Sequence, residues 1–444
     1  MASSRDASDS GGTPPRVAVV GAGISGLTAA SHLARGGCAV TVYETGRGPG
    51  GRTSTRRAGP DGAGWQFDHG AQYFSAKDPA FRAIVEDWRA EGLVAEWTGV
   101  FGTLDATTGT FVREDFSETK ERWVGTPSMN AVAKGLARRA GISLVTSRRV
   151  TSFEGGPGVG DGSWTVVHRS SAPTAETDAN GDPVPAEPPR RDARFVAVVA
   201  ADKQAASDRS VRVYGEDPPL LSLAAPAVWE GMRASGQTPS FALMLAVKNG
   251  RKSGADDEDG AKINAKTRLF EFQGATVEGD DVVAWIADDS SKPGRRTGAP
   301  DADVTCWVVQ STPAYAARRV KAVATAPGTA PHQALLNEVA EEMTDALLKL
   351  AAKSAKRRGE GSVEASKIEI AHVAAHRWGA AFPDDGAAAA AAASGKGCLA
   401  DAERRVVGCG DFCVSPKIEG AALSGAAAAA RVEEMIAETP AASL

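Results

Sequence analysis

A glycine-spaced turn near the N-terminus, Gly21-Ala-Gly23-Ile-Ser-Gly26, constrains this chain more than any other feature. A short unbroken apolar run at 17–20 precedes it, and a helical pattern over 27–34 follows, ending at Gly36-Gly37. A second strand is expected at 39–43 and stops at Glu44. Strand, tight turn, helix and strand in this order predict a βαβ unit, and with it a parallel sheet covered by helices. Gly21 permits the tight turn, Gly23 lets backbone approach a pyrophosphate, and Gly26 lets helix and strand pack closely. The helix N-terminus offers free N–H groups and a partial positive charge to phosphates. Glu44 is placed to accept both ribose hydroxyls of an adenosine and to repel a 2′-phosphate.

Two further glycine-rich stretches extend this site. In Arg47-Gly-Pro-Gly50-Gly51-Arg52 the glycine pair lets a second length of backbone lie against a cofactor, with Arg52 available to phosphate or ring oxygens. Far downstream, Gly408-Cys-Gly410-Asp411 and Ile418-Glu419-Gly420 precede a helix expected at 420–436. A helix N-terminus aimed at a reducible ring stabilises the negative charge that develops on it. These stretches resemble those of flavoproteins of the amine-oxidase type, and the resemblance implies a cofactor site built from both ends of the chain.

Between those ends, helices are expected at 80–91, where Phe81, Ile84, Val85 and Trp88 share one face, and at 129–140 and 331–350. Strands are expected around Val150 and at 164–167, 195–200, 241–247, 282–286, 305–309 and 405–407. Polar or low-complexity segments at 170–191, 252–260, 353–361 and 384–397 read as inserted surface loops. The expected fold class is α/β, with a Rossmann-type cofactor domain (16–64, 120–204 and 367–440) and an inserted sheet-containing substrate domain (65–119 and 205–366). Residues 1–15 are expected to be a disordered tail.

Composition removes several classes of function. The 444 residues carry a net charge of −5, which argues against a broad basic surface for nucleic acid or anionic lipid. No membrane span is readable, because every apolar run of about 18 residues is broken by glycine or charge. The first fifteen residues have no apolar core of the signal-peptide type. Five cysteines in a chain this long suit buried free thiols in a reducing compartment such as the cytoplasm, with an organelle such as the plastid left open. Cys409-x3-Cys413 lacks the further spacing that a zinc site requires.

The remaining motifs carry a resemblance. Phe67-Asp-His69-Gly-Ala-Gln72-Tyr73-Phe74, Asp78-Pro-Ala-Phe81, Gly125-Thr-Pro127-Ser-Met129, Phe241-Ala-Leu-Met-Leu, Ser290-Ser-Lys292-Pro-Gly-Arg295 and Ala375-His376-Arg377-Trp378 occur in this order. Together they resemble the renalase group of FAD-dependent oxidoreductases, within the flavin amine-oxidase superfamily, over roughly 16–436. Two departures stand out: Ala201-Asp-Lys-Gln204 in place of a Pro-x-x-Gln-like turn, and Gln310-Ser-Thr-Pro313 in place of a His-x-Ser/Thr-Pro tract.

The resemblance implies FAD held without a covalent bond, with contacts at Gly21, Gly23, Ser25, Gly26, Glu44, Gly50, Gly51, Arg52, Gln72, Tyr73, Gly410, Asp411, Glu419 and Gly420. It implies a substrate pocket near His69, His376 and Trp378. It also implies an oxidase that returns isomeric dihydronicotinamide dinucleotides to NAD(P)+, with molecular oxygen as electron acceptor. A dihydropyridine is already a hydride donor, so the site needs stacking and exclusion of water more than a general base, and the sequence offers no obvious base. For Lys292 and Arg295 a solvated turn and a phosphate-steering role both stand. An amine oxidase or dehydrogenase of the same superfamily, and a catalytically idle flavin-binding protein, are the alternatives. Oligomeric state is not legible.

Overall fold

The apolar run at 17–20 lies at the centre of a six-stranded sheet, and Val17, Ala18 and Val19 are wholly buried there. Across this sheet the order is Leu399–Asp401, Val406–Gly408, Ala197–Ala200, Arg16–Val20, Ala39–Tyr43 and Ile142–Val145. The strands are parallel except Leu399–Asp401, which runs antiparallel at one edge. The computed structural model describes residues 13–59, 64–115, 120–171, 187–248, 269–295, 304–322, 329–358, 368–384 and 397–438. Most of the expected tail, the insertion at 252–260, and most of those at 170–191 and 384–397 lie outside the described residues.

Helix Ile24–Arg35 covers the sheet and packs against helix Ile418–Ala437 from the other end of the sequence. Small residues set their separation: a Cβ on Gly425 would strike the Ser25 carbonyl. Leu27, Leu33, Ala428, Ala429 and Val432 are buried in one core with Val17 and Val19. Full burial of each leucine contributes roughly 1.5–3 kcal/mol.

A seven-stranded sheet forms the second layer, in the order Ile370–Pro383, Gln237–Lys248, Val304–Ser311, Val283–Asp288, Gly274–Glu278, Phe101–Asp105 and Phe111–Arg113. Alternation along Gln237–Lys248 divides its faces. Phe241, Leu243, Leu245 and Val247 pack with Val339, Met343 and Leu347 of helix Ala330–Arg357, while Met244 and Ala246 meet Phe67 on the opposite face.

Three expectations about this region need correction. The insertion expected at 353–361 begins as helix, because Ala330–Arg357 continues and buries Ser354 and Ala355. Ile370–Pro383, assigned by sequence to the cofactor domain, pairs along Gln237–Lys248 in the second sheet. Conversely, helix Pro226–Ala234 was assigned to the substrate domain, yet Val228 and Met232 pack with Val20, Val198 and Val406. A parallel sheet has two apolar faces to cover, and this helix covers the one that Ile24–Arg35 leaves open. Arg148–Gly155 and Trp164–Ser170, at two of the expected strand positions, form a hairpin and take Arg190–Phe195 as a third strand. All five cysteines are free and buried. No helix among the described residues is long and apolar enough to cross a membrane.

Candidate active site

Both sheets open onto a cavity of about 1700 Å³. Single-ligand pockets usually measure about 300–1000 Å³, so this space admits a large cofactor and a second molecule beside it. At one end the wall is backbone. Gly21 (φ +103°) makes the turn out of the first strand, and Gly50 (φ +135°) donates its N–H to the Ala22 carbonyl at 2.9 Å. A Cβ on Gly23 would meet nothing within 4 Å, and one on Gly51 would touch only the Gly23 Cα. Two loops are thus laid together with bare backbone facing the cavity, the shape a phosphate-bearing chain requires. The Glu44 carboxylate accepts from the N–H groups of Ala22 (2.9 Å) and Gly46 (2.6 Å). Burial raises its pKa above the ordinary range despite those bonds.

The C-terminal half closes the site. Gly410, Asp411, Phe412 and residues 416–418 line the cavity. Arg52 reaches Asp411 with two nitrogens, at 2.6 and 2.7 Å, and bonds the Ala381 carbonyl at 3.1 Å. The sequence suggested Arg52 for a phosphate or ring oxygen; here its planar fork matches the carboxylate and ties the N-terminal loop to the C-terminal strand. Three expected contacts lie off the cavity wall. Gly26 packs on the Gly21 turn, Gly420 on the Ser415 carbonyl, and Glu419 accepts from the N–H groups of Lys77 and Asp78 at 2.7 and 2.8 Å. Ser25, Gln72 and Tyr73 do line it. Gln72 Nε2 bonds the Asp68 and Gly70 carbonyls, and its buried Oε1 has no partner among the described residues.

At the other end the wall is aromatic. His69 stacks on Trp378 with ring centroids 5.2 Å apart, and His376 stands edge-on to both, at 4.7 and 4.6 Å. Trp378 Nε1 donates to the His69 carbonyl at 2.7 Å. His376 and Trp378 face the cavity, with His69 behind them. Burial pushes the pKa of His69 down to about 4 and that of His376 to about 3. Tyr73 and Trp285, 5.5 Å apart, form a second aromatic wall. Gln310 donates from Nε2 to the Gly70 carbonyl at 2.7 Å and so holds the loop between the two walls.

That loop is anchored by an ionic cluster. Asp68 and Asp289 are fully buried with Lys292 and Arg295. Lys292 Nζ lies 3.2 Å from Asp68 and 2.5 Å from Asp289, and Arg295 pairs with Asp68. Burial opposes both carboxylates; Lys292 and Arg295 still hold Asp68 below its usual pKa, while Asp289 sits above it, with Asp68 as an anionic neighbour. Lys292 and Arg295 are therefore neither a solvated turn nor phosphate contacts. They tie the loop that begins at Asp68 to the turn after strand Val283–Asp288, immediately beneath His69 and Gly70.

Sequence reasoning missed Trp285, Lys203, Arg209 and Arg212, all on the cavity wall. Lys203, in the departing 201–204 turn, bonds the Ser235 and Gly236 carbonyls, and burial lowers its pKa to about 8. The one available signal was strand alternation at 282–286, which sets Trp285 on the face opposite Ile286.

A Rossmann-like turn, a second glycine loop and a C-terminal closure over one cavity define a dinucleotide-binding protein. Residues 19–88 match the family model of the NAD(P)-binding Rossmann-like domain. A stretch of 52 residues is 54% identical to hydroxyneurosporene desaturase of Cereibacter sphaeroides, covering 11% of this chain and 10% of that protein. Among solved structures, cyclohexylamine oxidase from Brevibacterium oxydans superposes with a TM-score of 0.59 at 14% identity, covering 96% of this chain and all of that one. Putrescine oxidase bound to putrescine gives 0.54 at 15% identity, with 96% and 100% covered. At such identities the likeness is one of fold: the chain has the two-sheet α/β architecture of these oxidases.

Proposed function

We propose that this protein is an FAD-dependent oxidoreductase, and within that class a renalase-like oxidase that converts isomeric dihydronicotinamide dinucleotides to NAD(P)+ with oxygen as acceptor. In this reading Glu44 holds the adenosine ribose, and the Gly21–Gly23 turn with its helix N-terminus holds the pyrophosphate. Gly50 and Gly51 admit the rest of the chain, and Gly410 and Asp411 close over it. Bound there, FAD would supply the two-electron acceptor. The protein's own part is to orient a flat donor between aromatic walls, keep water out, and add no proton chemistry.

The single observation that carries this reading is the neutral aromatic end of the cavity. With pKa values of about 4 and 3, His69 and His376 are uncharged at physiological pH and too weakly basic to take a proton from an ammonium ion. A dihydropyridine needs no such base. The shared fold with putrescine and cyclohexylamine oxidases supports amine oxidation as the second reading.

Anaerobic mixing with candidate donors separates the two. Isomeric dihydronicotinamides should bleach the flavin rapidly, and simple amines little or not at all. A pocket histidine can ionise near its ordinary pKa of about 6.5. Burial removes that step, since both histidines stay neutral at every pH well above 4. Apart from any step near pH 8 where Lys203 on the cavity wall titrates, the rate of bleaching should therefore be nearly flat between about pH 6 and 9, whereas an amine must first lose its proton, so its rate climbs towards the amine's pKa. Bleaching by amines but not by the isomers would establish the second reading instead.

Glu44→Ala tests the cofactor assignment. Loss of charge-assisted hydrogen bonds worth about 1.5–3 kcal/mol should weaken FAD binding by roughly one to two orders of magnitude, measured as flavin content and dissociation constant. Unchanged affinity would show that another group holds the ribose.

A further inference from the structure

The cavity wall is strongly cationic in an acidic protein. Eleven lysine and arginine residues face it against four carboxylates. Of those four, Asp411 is paired with Arg52, and Glu44 is bonded to loop N–H groups. A cofactor diphosphate at the Gly21–Gly23 turn accounts for charge at that end only.

A second concentration stands around Arg377, the neighbour of His376, where three elements meet: Arg209 and Arg212 on helix Arg209–Tyr214, Arg377 itself on edge strand Ile370–Pro383, and His332 on helix Ala330–Arg357. They are close enough to feel one another. Burial and then Arg209 and Arg212 depress the pKa of Arg377, and burial and then Arg377 depress that of His332. Among the described residues neither Arg209 nor Arg212 forms an ion pair. Asp202, the carboxylate that Arg209 influences, is half-buried against the Gly21 turn, bonded to the Gln204 N–H, and raised in pKa by desolvation, so it is a poor counter-ion.

We propose that Arg209, Arg212, Arg377 and His332 form an anion site for the diphosphate of the substrate, an assignment that rests on the dinucleotide reading above. Grouped like charges repel one another, and a cleft of one sign focuses an incoming counter-ion. Guanidinium forks match phosphate oxygens in geometry as well as charge. Arg377 adjoins His376 in sequence, and alternation turns it to the opposite face of the edge strand. The cavity reaches both faces, so a donor with its ring against His376 and Trp378 can lay its diphosphate across the edge onto the arginines. An ammonium-bearing donor would be repelled here.

The experiment uses the flavin-loaded protein, so that the cofactor's own phosphate site is filled. Inorganic pyrophosphate, titrated by calorimetry, should bind in competition with the dinucleotide donor and weaken as salt rises. In Arg209→Gln/Arg212→Gln, pyrophosphate affinity should fall by about tenfold or more, and the ratio of KM for the dinucleotide to KM for the phosphate-free riboside should rise by a similar factor. The lysine pair Arg209→Lys/Arg212→Lys should keep most of the binding. Failure of pyrophosphate to bind, or undiminished binding in the glutamine variant, would overturn the anion site. A wild type that no dihydronicotinamide reduces would overturn the donor reading, while the pyrophosphate titration still decides this site.

Discussion

Protein carrying Gly23→Val is expected to fold normally and to emerge from purification colourless. Gly23 has φ −77° and ψ 179°, an extended conformation open to any residue, and valine suits it as well as glycine does. A Cβ there meets no protein atom within 4 Å, so the new side chain starts from open space on the cavity wall. The space it takes is the approach to the helix N-terminus that the pyrophosphate needs. Size-exclusion behaviour and far-ultraviolet circular dichroism should match the wild type, with flavin occupancy reduced by more than about tenfold. Only the stabilisation that bound ligand confers should disappear. Gly26→Val is the contrasting control. Its Cβ would collide with the Gly21 carbonyl and lie 3.0 Å from the Ala201 side chain, so that variant should fail to fold. A yellow Gly23→Val protein at wild-type occupancy would place the pyrophosphate elsewhere.

Lys292→Met is expected to destabilise the protein by about 3–5 kcal/mol, the usual consequence of removing one partner from a buried ion pair. Lys292 and Asp289 are wholly enclosed, and the four charges of the cluster balance. Methionine fills similar space but leaves two carboxylates facing Arg295 alone. The loop at 69–73 loses its floor at the same time, so flavin should be released at a lower temperature than in the wild type, read by its fluorescence on heating. Lys292→Met/Asp289→Asn restores the balance and should recover a large part of the loss. A single variant as stable as the wild type would show that the cluster is hydrated and contributes little.

The same cluster shows where a sequence stops being legible. Gly21, Gly23, Gly26 and Glu44 declare themselves because turn, helix and strand are contiguous and each residue's task is local. Asp68 and Lys292 lie 224 positions apart, and a Ser-Lys-Pro-Gly-Arg string has the composition of a solvated turn until its partners are in view. Arg52 was read as a phosphate contact for the same reason, since its carboxylate partner is 359 positions away. Strand Ile370–Pro383 escaped notice because an edge strand, half exposed along its length, carries little alternation of apolar and polar residues. The helix at 418–437 was visible despite being largely alanine, because glycine marked its start. The placement of its small residues against Ser25 was not.

Strand Val406–Gly408 and helix Ile418–Ala437 complete a sheet whose central strand is Arg16–Val20, which sets an order of events at the ribosome. At about 5–20 residues per second, the N-terminal βαβ unit waits on the order of tens of seconds for the segments that seal it. Throughout that interval the apolar surface of Leu27, Leu33 and the first strand lacks its lid, and a nascent chain would rely on chaperones to stay soluble. Cofactor capture has to wait for that helix. A polypeptide interrupted before residue 416 lacks both that helix and this part of the cavity wall, so a retained cofactor reports that translation passed this point.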